Sequence, residues 1–310
     1  MRLLLLILFL AGLGPFLSEY GLKLASEALI LGLYAMAFNL LFHQAGLLSF
    51  GQAAFFGVGA YAMALLVGRA GWPFLATLPV ALLASALVAL IVGFLSIRLT
   101  RIYFTMLTLA FAQLLYALAH KWYAFTGGDN GITDLRPQGA LGESLPFYYL
   151  VLVAFVLGVG FLAFLHRSPF GYALRGLRDN RARAEAVGID GFRHFLLAFV
   201  LAGLLSGLAG ALQGALQRSV FPDYLYWTRS AEAILATILG GSGVFLGPAV
   251  GAAAFLFLRV AVQAQTEYWP FFLGALLLMM VLFFPKGLAG IWLGLVRRLA
   301  RGVQRGAIGG

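Results

Sequence analysis

The chain runs in long apolar blocks broken by short polar clusters, and few of those blocks show the three-to-four-residue alternation of a half-buried helix in water. A helix rises about 1.5 Å per residue and needs about 20 apolar residues to cross a hydrocarbon core. On that length ten segments are expected to be transmembrane or half-spanning helices: 3–20, 28–46, 50–68, 74–97, 102–119, 147–165, 195–217, 231–243, 247–264 and 268–285. The eighth is too short to cross unaided. Gly240, Gly241, Gly243, Gly247 and Pro248 break the chain where it meets the ninth, so two half-spans or a re-entrant pair are expected there. The fold class is an all-α polytopic membrane protein.

Composition strengthens this reading. Of 310 residues 62% are hydrophobic and 10% charged, with a mean hydropathy of +0.96, whereas soluble domains are about a quarter charged. The absence of cysteine excludes disulfides, thiol catalysis and cysteine metal sites. Histidines at 43, 120, 166 and 194 are scattered without a metal-binding pair, so no metal is expected. A net charge of +10 would suit nucleic acid in a soluble protein, but in a membrane protein the side that carries the basic residues is what matters. One side holds Arg2, Arg98, Arg101, the six arginines between His166 and His194, Lys286 and the arginines from 297 on, against the acids Asp179, Glu185 and Asp190. The other holds Lys23, Arg69, Lys121, Arg136, Arg218 and Arg229 among eight acids, counting Glu232 and Glu267. The positive-inside rule places both termini in the cytoplasm, with membrane lipid as the surrounding solvent and no nucleic-acid partner. The opening MRLLLLILFLAGLGPFL lacks an A-x-A cleavage site and is expected to be an uncleaved first span. Residues 1–285 then form the permease domain with a cytoplasmic loop at 166–194, and 286–310 a basic segment expected along the cytoplasmic interface, a frayed basic tail being the alternative.

Four segments carry more specific information. From His43 to Leu66, glycines and small residues accompany polar groups at membrane depth. Backbone that is irregular at that depth must face protein or a water-filled path. Asn39, Gln44, Ser49, Phe50, Gly51, Gln52 and Gly57 are the candidate translocation-path residues, the other reading being that such groups join helices to one another. A second glycine-rich stretch, Leu239–Ala254, has a similar texture and forms at best a weak internal repeat with the first. The loop from Lys121 to Pro146 contains GGDNG, a run of tight-turn residues; Gly127, Gly128 and Asp129 are the candidate external gate, a plain connection being the alternative. The stretch His166–Phe195 places Leu174, Leu177, Ala184 and Val187 among charges. Asp179 and Asn180 are candidate caps for a short helix that Gly188 ends. Such an element suits docking into a cytosolic partner; a solvated positive-inside loop, the alternative, needs the arginines but not the helix, caps and glycine stop.

At these residues the chain resembles the permease subunits of ATP-binding-cassette importers, specifically the LivM type of branched-chain amino acid transporter. The similarity rests on AGLLSFGQAAFFGVGAYA at 45–62, TGGDNGI at 126–132, SPFGYALRGLRDNRARAEAVGID at 168–190, AFVLAGLLSGLAGAL at 198–212 and ILGGSGVFLGPAVGA at 238–252. The resemblance implies a bacterial inner-membrane machine of five parts: this subunit, a second permease of the LivH type, two cytosolic ATPases that use ATP and Mg, and an extracytoplasmic substrate-binding protein. It also implies that an ATPase docks on 168–190, where Arg175, Arg178, Asp179, Asn180, Ala184 and Gly188 fall on the motif. Urea and short-amide permeases share much of the pattern, so their substrates are the alternative cargo.

The residues agree that the energy source lies elsewhere. Lys23, Lys121 and Lys286 follow leucine, histidine and proline, whereas a Walker A loop needs glycine before its lysine. The chain is therefore read as a non-catalytic transport subunit with no cofactor of its own. A zwitterionic substrate needs partners for two charges, and Arg259 and Glu232 are the candidates within the spans; the alternatives are that Arg259 snorkels from a helix end and that the path is mostly apolar and amide-lined, with selectivity left to the binding protein. An ion-coupled secondary transporter would want mid-span carboxylates, and a membrane enzyme would want a convergent nucleophile, base or metal cluster; the sequence offers neither.

Overall fold

The computed structural model describes residues 10–265, 268, 271, 272, 274, 275, 278, 279 and 287–290. Residues 3–9 of the expected first span, most of the tenth and nearly all of the basic segment 286–310 lie outside the described residues, as does Glu267.

The described chain is almost entirely helical. Helix α1 (Glu19–Asn39) continues through a π-helical turn, Leu40–Ala45. It is followed by α2 (Gln52–Gly68), α3 (Phe74–Ser96), α4 (Arg101–Lys121), the single turn α5 (Tyr123–Thr126), α6 (Ser144–Arg167), α7 (Pro169–Asp179), α8 (Arg181–Ala186), α9 (Gly191–Gln217), α10 (Trp227–Gly240) and α11 (Gly247–Gln263). Among the described residues five helices are long and apolar enough to cross a membrane, namely α1 with its π turn, α3, α4, α6 and α9. Two-residue strands β1 (Ile132–Thr133) and β2 (Ser219–Val220) pair antiparallel, Ile132 opposite Val220. They mark one end of the bundle, the sheet end; α7 and α8 mark the other, the basic end.

Helix α9 runs through the centre, packed on α2 and α3 on one side and on α1 on the other, and α10 and α11 form an antiparallel hairpin against α1. The packing uses small residues. A Cβ on Gly59 would collide with the backbone of Gly207, so α2 and α9 touch main chain to main chain. Helix α3 turns Leu83, Leu87 and Ile91 outward while burying Ala81, Ser85 and Ala89. Large apolar groups outside and small ones inside invert the order of a soluble helix and fit a lipid solvent.

Two expectations about boundaries need correction. The second span starts at Glu19, not 28, with Ser18 accepting a hydrogen bond from Gly21 N at 3.2 Å as its cap. Hydropathy stopped at Glu27 because a carboxylate weighs against a lipid span, yet Glu27 is helical and paired inside the bundle. The eighth span is α10, from Trp227 to Gly240, and it meets α11 in a close glycine crossing: a Cβ on Gly251 would strike Ala236 O and Gly240. Pro248 stands in the first turn of α11, where no amide hydrogen is required.

Candidate functional site

Helix α2 begins inside the bundle rather than at its surface, and α10 enters the interior within its first turn, at Ser230. After the π turn and Gly46, which takes φ +70° to end it, residues 46–51 run back inward without helical structure and deliver the chain to Gln52 at the start of α2. There Gln52 Oε1 accepts from Ser206 Oγ at 2.7 Å, in the middle of α9. Thr105 Oγ1 of α4 donates to Leu48 O at 2.8 Å, so protein satisfies part of the irregular backbone. The segment after β2 dips in as well: Leu225 lies against Gly57, whose Cβ would strike the Leu225 side chain, and α10 starts two residues later. The two starts meet at Ser230. Its Oγ donates to Phe50 O at 2.6 Å and accepts from Ala53 N at 2.8 Å, so a side chain from α10 serves the first turn of α2.

All seven candidate path residues lie in this region. Asn39 Nδ2 donates to Ser242 O at 3.2 Å in the α10–α11 turn, and Ser49 Oγ accepts from Gly51 N at 3.1 Å. Phe50, Gly51, Gln52 and Gly57 make the contacts above, with Gly51 also beside Thr108. Gln44 is buried. Several of these groups join helices, yet Asn39 Oδ1, Gln44 Oε1 and Gln52 Nε2 are buried without a hydrogen-bond partner, an arrangement that costs about 1–3 kcal/mol per group.

Beside Ser230 the structure gathers four charges from three helices. Arg259 of α11 reaches Glu27 Oε1 of α1 at 2.5 Å and Glu232 Oε1 of α10 at 3.4 Å, and Arg229 NH1 bonds Glu232 Oε2 at 2.8 Å. The four side chains are 15–24% exposed and formally neutral as a set. Arg259 and Glu232, the two charges singled out from sequence, are brought together; Glu27 and Arg229 were assigned to the external side and missed. The signal was present in Arg229-x-x-Glu232, one helical turn apart, together with a lone arginine in a span.

At the basic end α7 and α8 form the element foreseen from the caps. Ser168 caps α7, accepting from Gly171 N at 3.3 Å, and Asn180 caps α8, accepting from Arg183 N at 3.0 Å. Gly188 follows α8 with φ +92°. Asp179 is no cap: it ends α7 and pairs with Arg178 at 2.9 Å. Leu174, Leu177 and Ala184 are buried, while Tyr172 and Val187 are exposed. Arg178 NH1 donates to His43 O at 2.5 Å, in the π turn that leads into the re-entrant segment, and Arg175 NH1 donates to His166 O at 3.0 Å.

Gly127, Gly128 and Asp129 stand at the sheet end, away from the path residues. Gly127 and Gly128 take φ of +82° and +56°, a Cβ on Gly128 would press on the Tyr123 ring, and Asp129 pairs with His120 at 2.9 Å. Thr126 Oγ1 holds the turn by donating to Ala119 O at 2.5 Å. Among the described residues there is no group of three or more His, Asp or Glu placed to hold a metal ion.

Comparison with known proteins adds two relatives, both high-affinity branched-chain amino acid transport system permease proteins LivM. One is from Salmonella typhimurium and one from Escherichia coli; each is 28% identical to this chain over 91% of its length and 73% of theirs. No solved structure matches. A family model described as branched-chain amino acid transport system / permease component matches residues 21–281, which takes in every described helix from α1 to α11 apart from the first two residues of α1, and the chain therefore belongs to that family of membrane permease components.

Proposed function

We propose that this protein is one permease of an unlike pair in a bacterial inner-membrane importer, moving branched-chain amino acids inward at the expense of ATP hydrolysed by two cytosolic partners. Both termini and the basic end face the cytoplasm, and 1–285 is the permease domain, with 286–310 at the interface. The sheet end faces outward, where the 126–131 turn receives substrate from an extracytoplasmic binding protein. Arg175, Arg178, Asp179, Asn180, Ala184 and Gly188 build the docking element, and Tyr172 and Val187 are the apolar groups it offers an ATPase. ATP and Mg belong to those partners.

The observation that carries this reading is the bond from Arg178 to His43 O. It ties α7 to the π turn, the π turn leads through 46–51 to the start of α2, and Ser230 ties that start to α10. A displacement of α7 by a docked ATPase therefore has a covalent and hydrogen-bonded route to the interior, where the broken helices would repack between two arrangements. ATP drives the step only by favouring one of those packings. Asn39, Gln44 and Gln52, with unbonded buried atoms along the route, support its use as a polar path.

The test is affinity copurification of the tagged chain from mild detergent, followed by ATPase assay. The wild type is expected to bring down a second permease and two ATPases, and Arg178→Glu, which places a carboxylate against the His43 carbonyl, to lose the ATPases or their coupling to uptake. Recovery of the chain alone, with uptake of substrate that ignores ATP, would overturn the importer reading.

A further inference from the structure

We infer that the cleft at Glu27, Arg229, Glu232 and Arg259 is a binding site for the zwitterion of an aliphatic α-amino acid, a role that rests on the importer reading and assigns its substrate a place in this chain. Glu27 is eight residues into α1, ~12 Å from its start along the helix axis, so the charges sit below the sheet end within the depth of the bundle. Charged groups at that depth are costly and face protein or a cavity. Here they line a narrow cleft of about 10 Å³, room for one water and closed to an amino acid until the ion pairs part, and its remaining walls are of two kinds. Ile30, Leu31 and Phe56, each at most 8% exposed, form an apolar wall. Tyr34 and Gln213 bring polar ends to the same cleft. Tyr34 Oη is buried beside Ser230 and meets no partner at hydrogen-bond geometry.

The charge pattern selects the ligand. Four charges summing to zero accept a neutral zwitterion without leaving a net charge in a low-dielectric site, whereas a cation or an anion would leave one. The Arg259–Glu232 contact, at 3.4 Å, is the longest of the three ion pairs and the place where an amino acid can enter. Its carboxylate takes the arginines, which offer paired donors suited to a planar acid. Its ammonium takes Glu232, and the Tyr34 hydroxyl is within the same cleft to complete either end. The aliphatic side chain lies on Ile30, Leu31 and Phe56. Each substrate charge replaces one that the protein supplies to itself in the closed cleft, so entry and exit exchange ion pairs instead of exposing them. The same exchange loosens α11 from α1 at this level, because the Arg259–Glu27 pair is the ion pair that joins them.

The chain has no cysteine, so a single Leu31→Cys substitution provides a probe. In the purified full complex in nanodiscs, without the binding protein, the rate at which a small methanethiosulfonate modifies this cysteine is measured with leucine, 3-methylbutylamine or 4-methylpentanoate present. Leucine is expected to slow modification by about tenfold, and the two singly charged analogues not to, since each lacks one ion pair worth at least that factor. In parallel, Glu232→Gln is expected to cut ATP-driven leucine uptake by on the order of thirtyfold with the assembled complex still recovered. Equal protection by all three compounds, or by none, in a complex that takes up leucine would overturn the site and leave the importer reading standing. A wild-type complex that takes up no leucine would overturn both.

Discussion

Ser230 shows how much a single hydroxyl can decide. Gly51 stands at the N-cap of α2 with no side chain to offer, and Ser49 Oγ is taken by Gly51 N. The amide of Ala53 is instead served from α10, at 2.8 Å. Ser230→Ala removes that acceptor and the donor to Phe50 O together, in a residue 0% exposed. The expected loss is about 1–2 kcal/mol, read as a lower midpoint of thermal unfolding of the assembled complex, while Ser230→Thr keeps the hydroxyl and most of the stability. An unchanged midpoint for the alanine variant would mean that the first turn of α2 finds another partner. Ser230 was not a candidate from sequence. A serine one turn into an apolar helix reads as local, and nothing near it in the chain reveals that its partners are about 180 residues away.

At the scale of elements, the caps and glycine stops of α7 and α8 were legible because they are local chemistry: Asn180, Gly188 and the buried Leu174, Leu177 and Ala184 all follow from short-range pattern. Asp179 shows the limit, since two adjacent residues each able to cap differ only in which backbone angle the chain adopts. The element also separates buried groups from exposed ones. Leu177 is 2% exposed and Val187 74%. Leu177→Asp is expected to melt the pair of helices, at about 2–5 kcal/mol for a core leucine lost, and with it every partner contact. Val187→Asp is expected to leave the complex of the two permeases intact and weaken only ATPase recruitment. The check is copurification of each variant with stoichiometry measured subunit by subunit; ATPases retained in full by Val187→Asp would move the docking face elsewhere. The hairpin of α10 and α11 behaves differently. Its glycines and Pro248 marked a break in the chain, but only the structure pairs Gly251 with Ala236 and Gly240, and only the structure lodges its turn beside Asn39.

For the molecule as a whole, the two ends are distinct in charge and in architecture, and that makes orientation measurable. Arg136 lies in the loop region by β1 and Val187 after α8, both well exposed. In this cysteine-free background Arg136→Cys is expected to react with a membrane-impermeant thiol reagent added to intact spheroplasts, and Val187→Cys only after permeabilisation. The reverse pattern would invert the proposed topology. The outline of the molecule was available from the sequence alone: apolar runs of spanning length, charge asymmetry between alternate loops and the positions of the broken segments are one-dimensional properties, set by the requirement that backbone in lipid bond to itself and by the excess of basic residues on one side. What the tertiary structure decided is which distant groups meet. Glu27 looked like the edge of a span because hydropathy counts a carboxylate as a cost. In the fold it lies 2.5 Å from an arginine 232 residues later, and that pairing converts the cost into a neutral buried cluster. The sequence states how much charge the membrane must accommodate; only the packing of α1, α10 and α11 states where it is compensated.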